Sequence, residues 1–316
     1  MPNFTWEFDA PSGTYKSHEV SSQILDAAMA DSVFVEHIDM TPGFGTRRGE
    51  SLTIPRISNL AEPTSVYLSE TQDIPEDAFS MSTIALTLRE IGRQVPFTGF
   101  SRDMSMIGLE QGIRRKLRQQ MTLAIDTIAA AAAKLGKLKY AITGAATSNF
   151  TTNGTFGAAS TANMNVYHAS ALVDLMYDTY HMEEVDGGGY LGIFRQLALR
   201  GIMNDPDWEI WHQYTDPQAK YQGEVGKIDN LRFVRTNHAA ALGKVGTGSV
   251  LGEGVCFGAN ALAMIEGRTP ELYASPPRGA AGRFNSVAWY GQIAVRMPWE
   301  DSANAGEANL IHVGSL

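Results

Sequence analysis

A chain of 316 residues is longer than one hydrophobic core usually serves, which favours two subdomains over a single globule. Its 31 glycines and 13 prolines point to many turns and long connections rather than a helical bundle. A net charge of −9 argues against a general nucleic-acid binder, and one cysteine excludes an internal disulfide framework and any multi-cysteine metal cage.

Residues 1–46 read as an arm. Val20, Ile24, Ala27 and Ala28 fall at helical spacing within Glu19 to Ala30, and an extended apolar run from Val33 to Ile38 follows. Met1 to Asp9 has no basic start or apolar core segment of a secretory signal, and no run approaches the length of a membrane span. Synthesis in a cytoplasm, with no membrane partner, is expected.

Residues 47–97 hold two strand-like runs, Ser51 to Ile57 and Thr83 to Ile91, around a long polar tip. In the second run Ile84, Leu86 and Leu88 share one face. Pro55 marks the first as an edge or irregular strand. The tip acids Glu62, Glu70, Asp73, Glu76 and Asp77 favour solvent. An isolated two-stranded hairpin is marginal in water, so its apolar face is expected to need an outside surface, most economically another copy of the chain.

The strongest helix signal starts near Ser101, a candidate N-cap, and ends before Gly136. Ile113, Leu117, Met121, Ala124, Ile128, Ala131 and Leu135 recur at steps of three or four as an apolar stripe. Gly108 and Gly112 are candidate breaks. The segment is a basic island, since residues 101–140 carry 3 acids against 8 bases while residues 1–100 carry 14 against 6. Arg114, Arg115, Lys116 and Arg118 flank the stripe. They suit either a solvated face with a Glu110–Arg114 pair or nonspecific contact with DNA phosphates.

A Thr/Gly/Asn-rich connection reaches Thr161, and a second helix is expected after Asn165 with Val166, Ala169, Leu172, Val173, Met176 and Tyr180 inward. Farther on, Tyr221, Gly223, Glu224 and Gly226 lead through an Asp229–Asn230 turn into a half-buried strand, Leu231 to Thr236, that includes Arg232 and Phe233. Ser286 to Met297 reads as a long strand and Leu310 to Val313 as a short one.

Nothing in the sequence looks like chemistry. Gly246-Thr247-Gly248 through Gly252 has the wrong spacing for a dinucleotide loop, and no nucleophile elbow, phosphate loop or paired-histidine zinc motif occurs. The seven histidines are dispersed. Trp208, Trp211 and Tyr214 suit packing, and Asp205, Asp207 and Asp216 suit turns beside prolines. Cys256, within an apolar run, reads as an inert buried thiol. No catalytic residue, cofactor or metal ligand is expected.

The segment Tyr221 to Thr236 closely resembles a signature of one family of tailed-bacteriophage major capsid proteins. Arg48 to Pro55 at the hairpin entry and Leu117 to Asp126 in the helix add support. The order of arm, long hairpin, long helix, mixed domain and return strand resembles the tailed-phage capsid fold along the whole chain. The resemblance implies an α+β subunit with an N-terminal arm at 1–46, an E-loop at 47–97, and a peripheral domain with a spine helix at 98–161. An axial domain at 162–284 and a return strand of the peripheral domain at 285–316 complete it.

It further implies self-assembly into pentamers and hexamers of an icosahedral shell around double-stranded DNA, in a virion. Partners would be a separate scaffolding protein, since no leader domain is expected, a portal and a cement protein. Arg47, Arg48, Ile84, Leu86, Leu88 and Arg89 would meet a neighbouring subunit. Some family members crosslink through an E-loop lysine, but no lysine lies between Lys16 and Lys116 here, so a noncovalent shell is expected. The alternatives are an encapsulin-like compartment of the same fold and a soluble enzyme with a dispersed site.

Overall fold

The computed structural model describes residues 29–40, 49–60, 63, 67, 70, 73–104, 109–185, 188–205, 224–278, 282–299 and 306–315. A 3-10 turn at Phe34–His37 leads to β1 (Asp39–Met40). The hairpin of β2 (Ser51–Ile57) and β3 (Met81–Thr87) follows, and β4 (Arg89–Thr98) continues β3 after Leu88. Next come α1 (Gly99–Met104), α2 (Leu109–Ala133), β5 (Lys139–Gly144) and β6 (Thr147–Thr151). α3 (Val166–Asp174) runs on as a π-helical turn, Leu175–Thr179, before β7 (Tyr190–Arg195) and α4 (Gln196–Met203). The remainder is strand: β8 (Glu224–Ile228), β9 (Leu231–Thr236), β10 (Lys244–Val245), β11 (Leu251–Gly252), β12 (Gly254–Phe257), β13 (Ala263–Arg278), β14 (Phe284–Arg296) and β15 (Leu310–Gly314).

A seven-stranded mixed sheet, ordered β6-β5-β15-β12-β7-β9-β8, carries most of the core. Its central strands β7, β12 and β15 are buried almost without a break, and mostly apolar, because both faces are covered. Tyr190, Phe194 and Cys256 face the core that includes α3 and α4, whereas Leu191, Ile193, Val255 and Phe257 face Ala129, Ala130 and Ala133 of α2. Gly254 pairs with Phe194 across the sheet, and a Cβ there would lie 2.0 Å from the Phe194 ring. The missing side chain is what lets that ring lie over the strand.

The second sheet, β1-β13-β14-β4, has four strands. Leu117 of α2 packs on Val287 and Trp289 of β14, and Trp289 Nε1 donates to Gln120 Oε1 at 3.3 Å. α2 therefore spans two supports. Ile113, Leu117, Met121 and Ala124 face the four-stranded sheet as the stripe predicts, after which the buried face moves to Asp126, Ala129, Ala130 and Ala133. Ala131 is exposed and Leu135 is 71% exposed, so the stripe's last two positions do not belong to the core.

Other boundaries also shift. The first helix starts at Gly99, and its cap is Thr98, whose Oγ1 accepts from Ser101 N, rather than Ser101 itself. α1 is described to Met104 and α2 from Leu109, Gly108 lies outside the described residues, and Gly112 sits inside α2. Asn165 caps α3 as its sequence suggests, its Oδ1 accepting from His168 N. Strand pairing divides the chain differently from the expected domains. β13, assigned by sequence to 162–284, pairs along β14, and β5, β6 and β15, assigned to the peripheral domain, complete the sheet of β7, β9 and β12. Partner choice between distant strands leaves no local trace in either one.

Candidate functional site

The hairpin β2–β3 is the first surface to consider. Its register pairs Leu52 with Leu86 and Ile54 with Ile84, and Pro55 sits on the strand's free edge side as its missing N–H requires. Of Ile84, Leu86 and Leu88, which the sequence suggests would cover a neighbour, the first two are buried within their own chain and Leu88 is half-buried. Ile84 and Leu86 are 3% and 1% exposed, seated with Leu52, Ile54 and Leu88 on Ala263, Ile265 and Ala294 of the chain's own four-stranded sheet. Three polar ties reinforce the seat. Arg56 Nη1 donates to Pro298 O at 2.7 Å, Asn59 N to Glu307 Oε1 at 3.0 Å, and Arg296 Nη1 to Ala85 O at 2.8 Å.

What the hairpin leaves exposed lies toward its tip. Ile57, Leu60, Ile74, Phe79 and Met81 are 55–76% exposed and Tyr67 is 92% exposed. Among them stand Glu70, Asp73, Glu76 and Asp77, all exposed. Arg89 is exposed at the start of β4, while Arg47 and Arg48 lie outside the described residues.

The basic helix face is split in use. Arg114 is bound to Glu110 one turn back, with Nη2 2.7 Å from Oε1, an exposed pair worth a few tenths of a kcal/mol by the usual scale of about 0.3–0.5. Arg115 and Arg118 are exposed and Lys116 is half-buried. In the other predicted segment, Tyr221 and Gly223 lie outside the described residues, and Glu224 opens β8. Gly226 carries a bulge against Phe233, and the turn falls at Asp229 and Asn230, both at positive φ. Leu231, Phe233 and Val234 are buried and Arg232 is half-buried, so β9 has both faces covered rather than one.

Two buried polar junctions escaped the sequence reading. Asp126, fully buried on α2, accepts Val33 N at 2.9 Å and Phe34 N at 2.8 Å on Oδ1, and His238 Nδ1 lies 2.7 Å from Oδ2. One carboxylate thus ties the N-terminal segment, the long helix and the residues after β9. The second junction joins α2, β5, β15 and the β11–β12 turn. Lys139 Nζ donates to Lys134 O (2.6 Å) and His312 Nδ1 (3.0 Å), so His312 carries its proton on Nε2 and donates to Glu253 Oε1 (2.7 Å). Glu253 Oε2 accepts from Lys134 Nζ (2.7 Å) and Gly243 N (2.9 Å).

Burial drives the titration of this second group. Desolvation lowers Lys139 to about 8, against the raising influence of Glu253, and lowers His312. Glu253 is carried down to about 2 because its hydrogen bonds to His312, Lys134 and Gly243 outweigh a desolvation that pushes the other way. All four residues are spent on one another, as a structural network requires.

The remaining candidates are structural. Cys256 is fully buried, which pushes its thiol up and keeps it neutral. Gly246 and Gly248 turn β10 into β11, with Gly246 and Gly248 at positive φ and no helix after them. His168 lies between Tyr140 Oη and Gly144 O at 3.2 and 2.8 Å. Asp205 follows the Asn204 cap of α4, its N–H donating to Ile202 O, while Trp208, Trp211, Tyr214, Asp207 and Asp216 lie outside the described residues. Among the described residues no group of three or more His, Cys, Asp or Glu could hold a metal, and no helix is long and apolar enough to cross a membrane.

No protein-family profile and no curated protein matches this sequence. Solved structures do. The chain is similar to the head structure of Helicobacter pylori bacteriophage KHP40, with a TM-score of 0.70 at 14% identity over 99% of this chain and 98% of that one. The capsid of Ralstonia phage GP4 aligns with a TM-score of 0.66 at 13% identity, over 99% and 97% of the two chains. A structure of Mycobacterium phage Che8 aligns at 0.65 and 14%, over 96% and 99%. The fold is that of tailed-phage capsid subunits.

Proposed function

We propose that this chain is the major capsid protein of a tailed bacteriophage, assembling as pentamers and hexamers into an icosahedral shell around double-stranded DNA. The observation that carries the reading is that the likeness to phage head and capsid structures runs end to end, over 96–99% of the chain, rather than through one widely shared domain. The activity is self-association, and catalysis has no part in it. The chain would work in the virion after assembly in the host cytoplasm, with a separate scaffolding protein, a portal and a cement protein as partners.

The neighbour-contacting residues are Ile57, Ile74, Phe79 and Met81 at the hairpin tip, since Ile84 and Leu86 are already covered. Arg115 and Arg118 are the exposed members of the helix face that would meet packaged DNA through phosphates. Expression of the chain with and without its genomic neighbours, followed by light scattering and electron microscopy, tests the reading. Shells, tubes or ring-shaped capsomers are expected. A uniform monomer or dimer in both samples contradicts it, and small closed shells holding an enzyme without DNA would instead mark an encapsulin-like compartment.

A further inference from the structure

We propose that the junction of Lys134, Lys139, Glu253 and His312 is an acid-operated latch: a proton taken up on His312 Nδ1 ejects Lys139 and opens the connection between α2 and β5, while the centre of the seven-stranded sheet stays closed. The inference does not rest on the shell reading, because the latch lies wholly within one copy. His312, in β15, is 4% exposed and uses both ring nitrogens. Its Nε2–H donates to Glu253 Oε1 at 2.7 Å, and its Nδ1 accepts from Lys139 Nζ at 3.0 Å. Lys139 Nζ also donates to Lys134 O at 2.6 Å, so one ammonium ties the C-terminal end of α2, where a cation is favoured, to β15. The Phe156 ring closes the site, its centroid 5.0 Å from that of His312 and 5.4 Å from Lys139 Nζ.

A neutral imidazole accepts a hydrogen bond on Nδ1, and an imidazolium cannot. Once Nδ1 carries a proton, two donors and two positive charges face each other across 3.0 Å in a buried site. The two sides of the ring then behave oppositely. The Nε2–H bond to Glu253 becomes an ion pair and tightens, whereas Lys139 is driven off and Lys134 O loses its donor. Glu253 stays anchored by Gly243 N and Lys134 Nζ, and β15 by its ladder to β12. The connection is held more lightly: Gly154 N donates to Lys137 O and His312 N to Leu138 O, and Leu135 is 71% exposed. Opening is therefore confined to residues 135–139 and the loop that carries Phe156.

Among the described residues, the charged groups acting on His312 are Lys134 from the end of α2, Lys139 from β5 and Glu253 from the β11–β12 turn, while β12 sets Val255 opposite it. Desolvation and the two lysines lower the ring, against the raising influence of Glu253, so it is neutral at pH 7 and takes its proton only below its ordinary value of 6.5. Lys139 titrates at about 8, so it is still an ammonium in that range and cannot relieve the conflict by giving up a proton. The latch is closed at neutral pH and opens on acidification.

Amide hydrogen exchange read by mass spectrometry tests this on the full-length chain below its assembly concentration, at pH 7 and pH 4.5, with rates corrected for the intrinsic pH dependence of exchange. In wild type, acidification is expected to speed exchange about tenfold or more in peptides covering 135–139 and 152–157, and less than about twofold in β7 and β12. His312→Gln keeps an acceptor for Lys139 and a donor for Glu253 without titrating, and is expected to stay slow at pH 4.5. Lys139→Met has no charge to eject, so its exchange should agree within about twofold at the two pH values. No acid response in wild type, an equal response in His312→Gln, or a response spread through β7 and β12 would overturn the proposal. Should His312→Gln fail to fold, Lys139→Met decides, since an acid response as large as that of wild type overturns the latch equally. None of these results depends on whether the chain forms a shell, and a chain that forms none can still carry the latch.

Discussion

Replacing Leu86 with alanine separates two accounts of the hairpin. If Leu86 meets only a neighbour, the free subunit loses nothing. In the structure it is 1% exposed in a small satellite core with Ile84, Ala263, Ile265 and Ala294. Truncating a buried leucine costs about 2–5 kcal/mol, the spread reflecting how far the site can collapse. Full burial of Ile84 and Leu86 contributes only about 1.5–3 kcal/mol each before the cost of ordering the strands, so the substitution removes most of what seats the hairpin. The loss should appear as local opening. Even 2 kcal/mol accelerates opening-limited hydrogen exchange about 30-fold, confined to β2 and β3. Amides of β7 and β12, which belong to other cores, should exchange as in wild type. Unchanged exchange across residues 51–57 and 81–87 in the free Leu86→Ala subunit would refute the argument.

The Lys139 network gives a pH signature. The lowered folded value of Lys139, about 8, means that its cost is absent above pH 10.5 and develops as pH falls toward 8; urea unfolding should show wild type more stable at pH 10 than at pH 8, and Lys139→Met should flatten that rise. Burial also lowers His312, so its cost is absent above about pH 6.5 and develops on acidification, while the stability that the lowered Glu253 contributes is present above about pH 4.5 and is lost down through about pH 2; a profile flat from pH 7 to pH 3 would sink this reading. Asp126→Ala strands the N–H groups of Val33 and Phe34 and the His238 ring at about 1–3 kcal/mol per unsatisfied group, and limited proteolysis should then cut near Phe34 faster; an unchanged cleavage rate would contradict it. Gly254→Ala drives a methyl into the Phe194 ring, an overpacking worth about 1–3 kcal/mol or more that Phe194→Leu should partly relieve, as thermal melts of the single and double variants can decide.

Local signals were legible where a short stretch carries its own cause. The Asp229–Asn230 turn, the Asn165 cap and the alternation of Ile84, Leu86 and Leu88 all appear where the residues suggest. What covers those faces was not legible. The apolar side of β3 finds Ile265 and Ala294, roughly two hundred residues away in sequence, and nothing in either stretch names the other. The same holds for Asp126 and for Lys139, whose partners His238 and His312 lie 112 and 173 residues away. The α2 stripe failed at Ala131, where the helix changes the sheet it rests on and its buried face turns with it, and at Leu135, which lies past the helix end at Ala133. The resemblance to phage capsid subunits bridged that gap for the fold as a whole, while the assignment of β13 to a domain still needed the pairing itself.

The central claim, that copies of this chain are the wall of a phage head, is tested most directly by a cryo-electron microscopy reconstruction of the particles that the phage or its expressed head genes produce. The account predicts a continuous wall in which every pentamer and hexamer position is occupied by this fold, with the hairpin tip of each copy lying on another. A wall built by a different protein, with this chain absent from it or held as a discrete small oligomer, would contradict it.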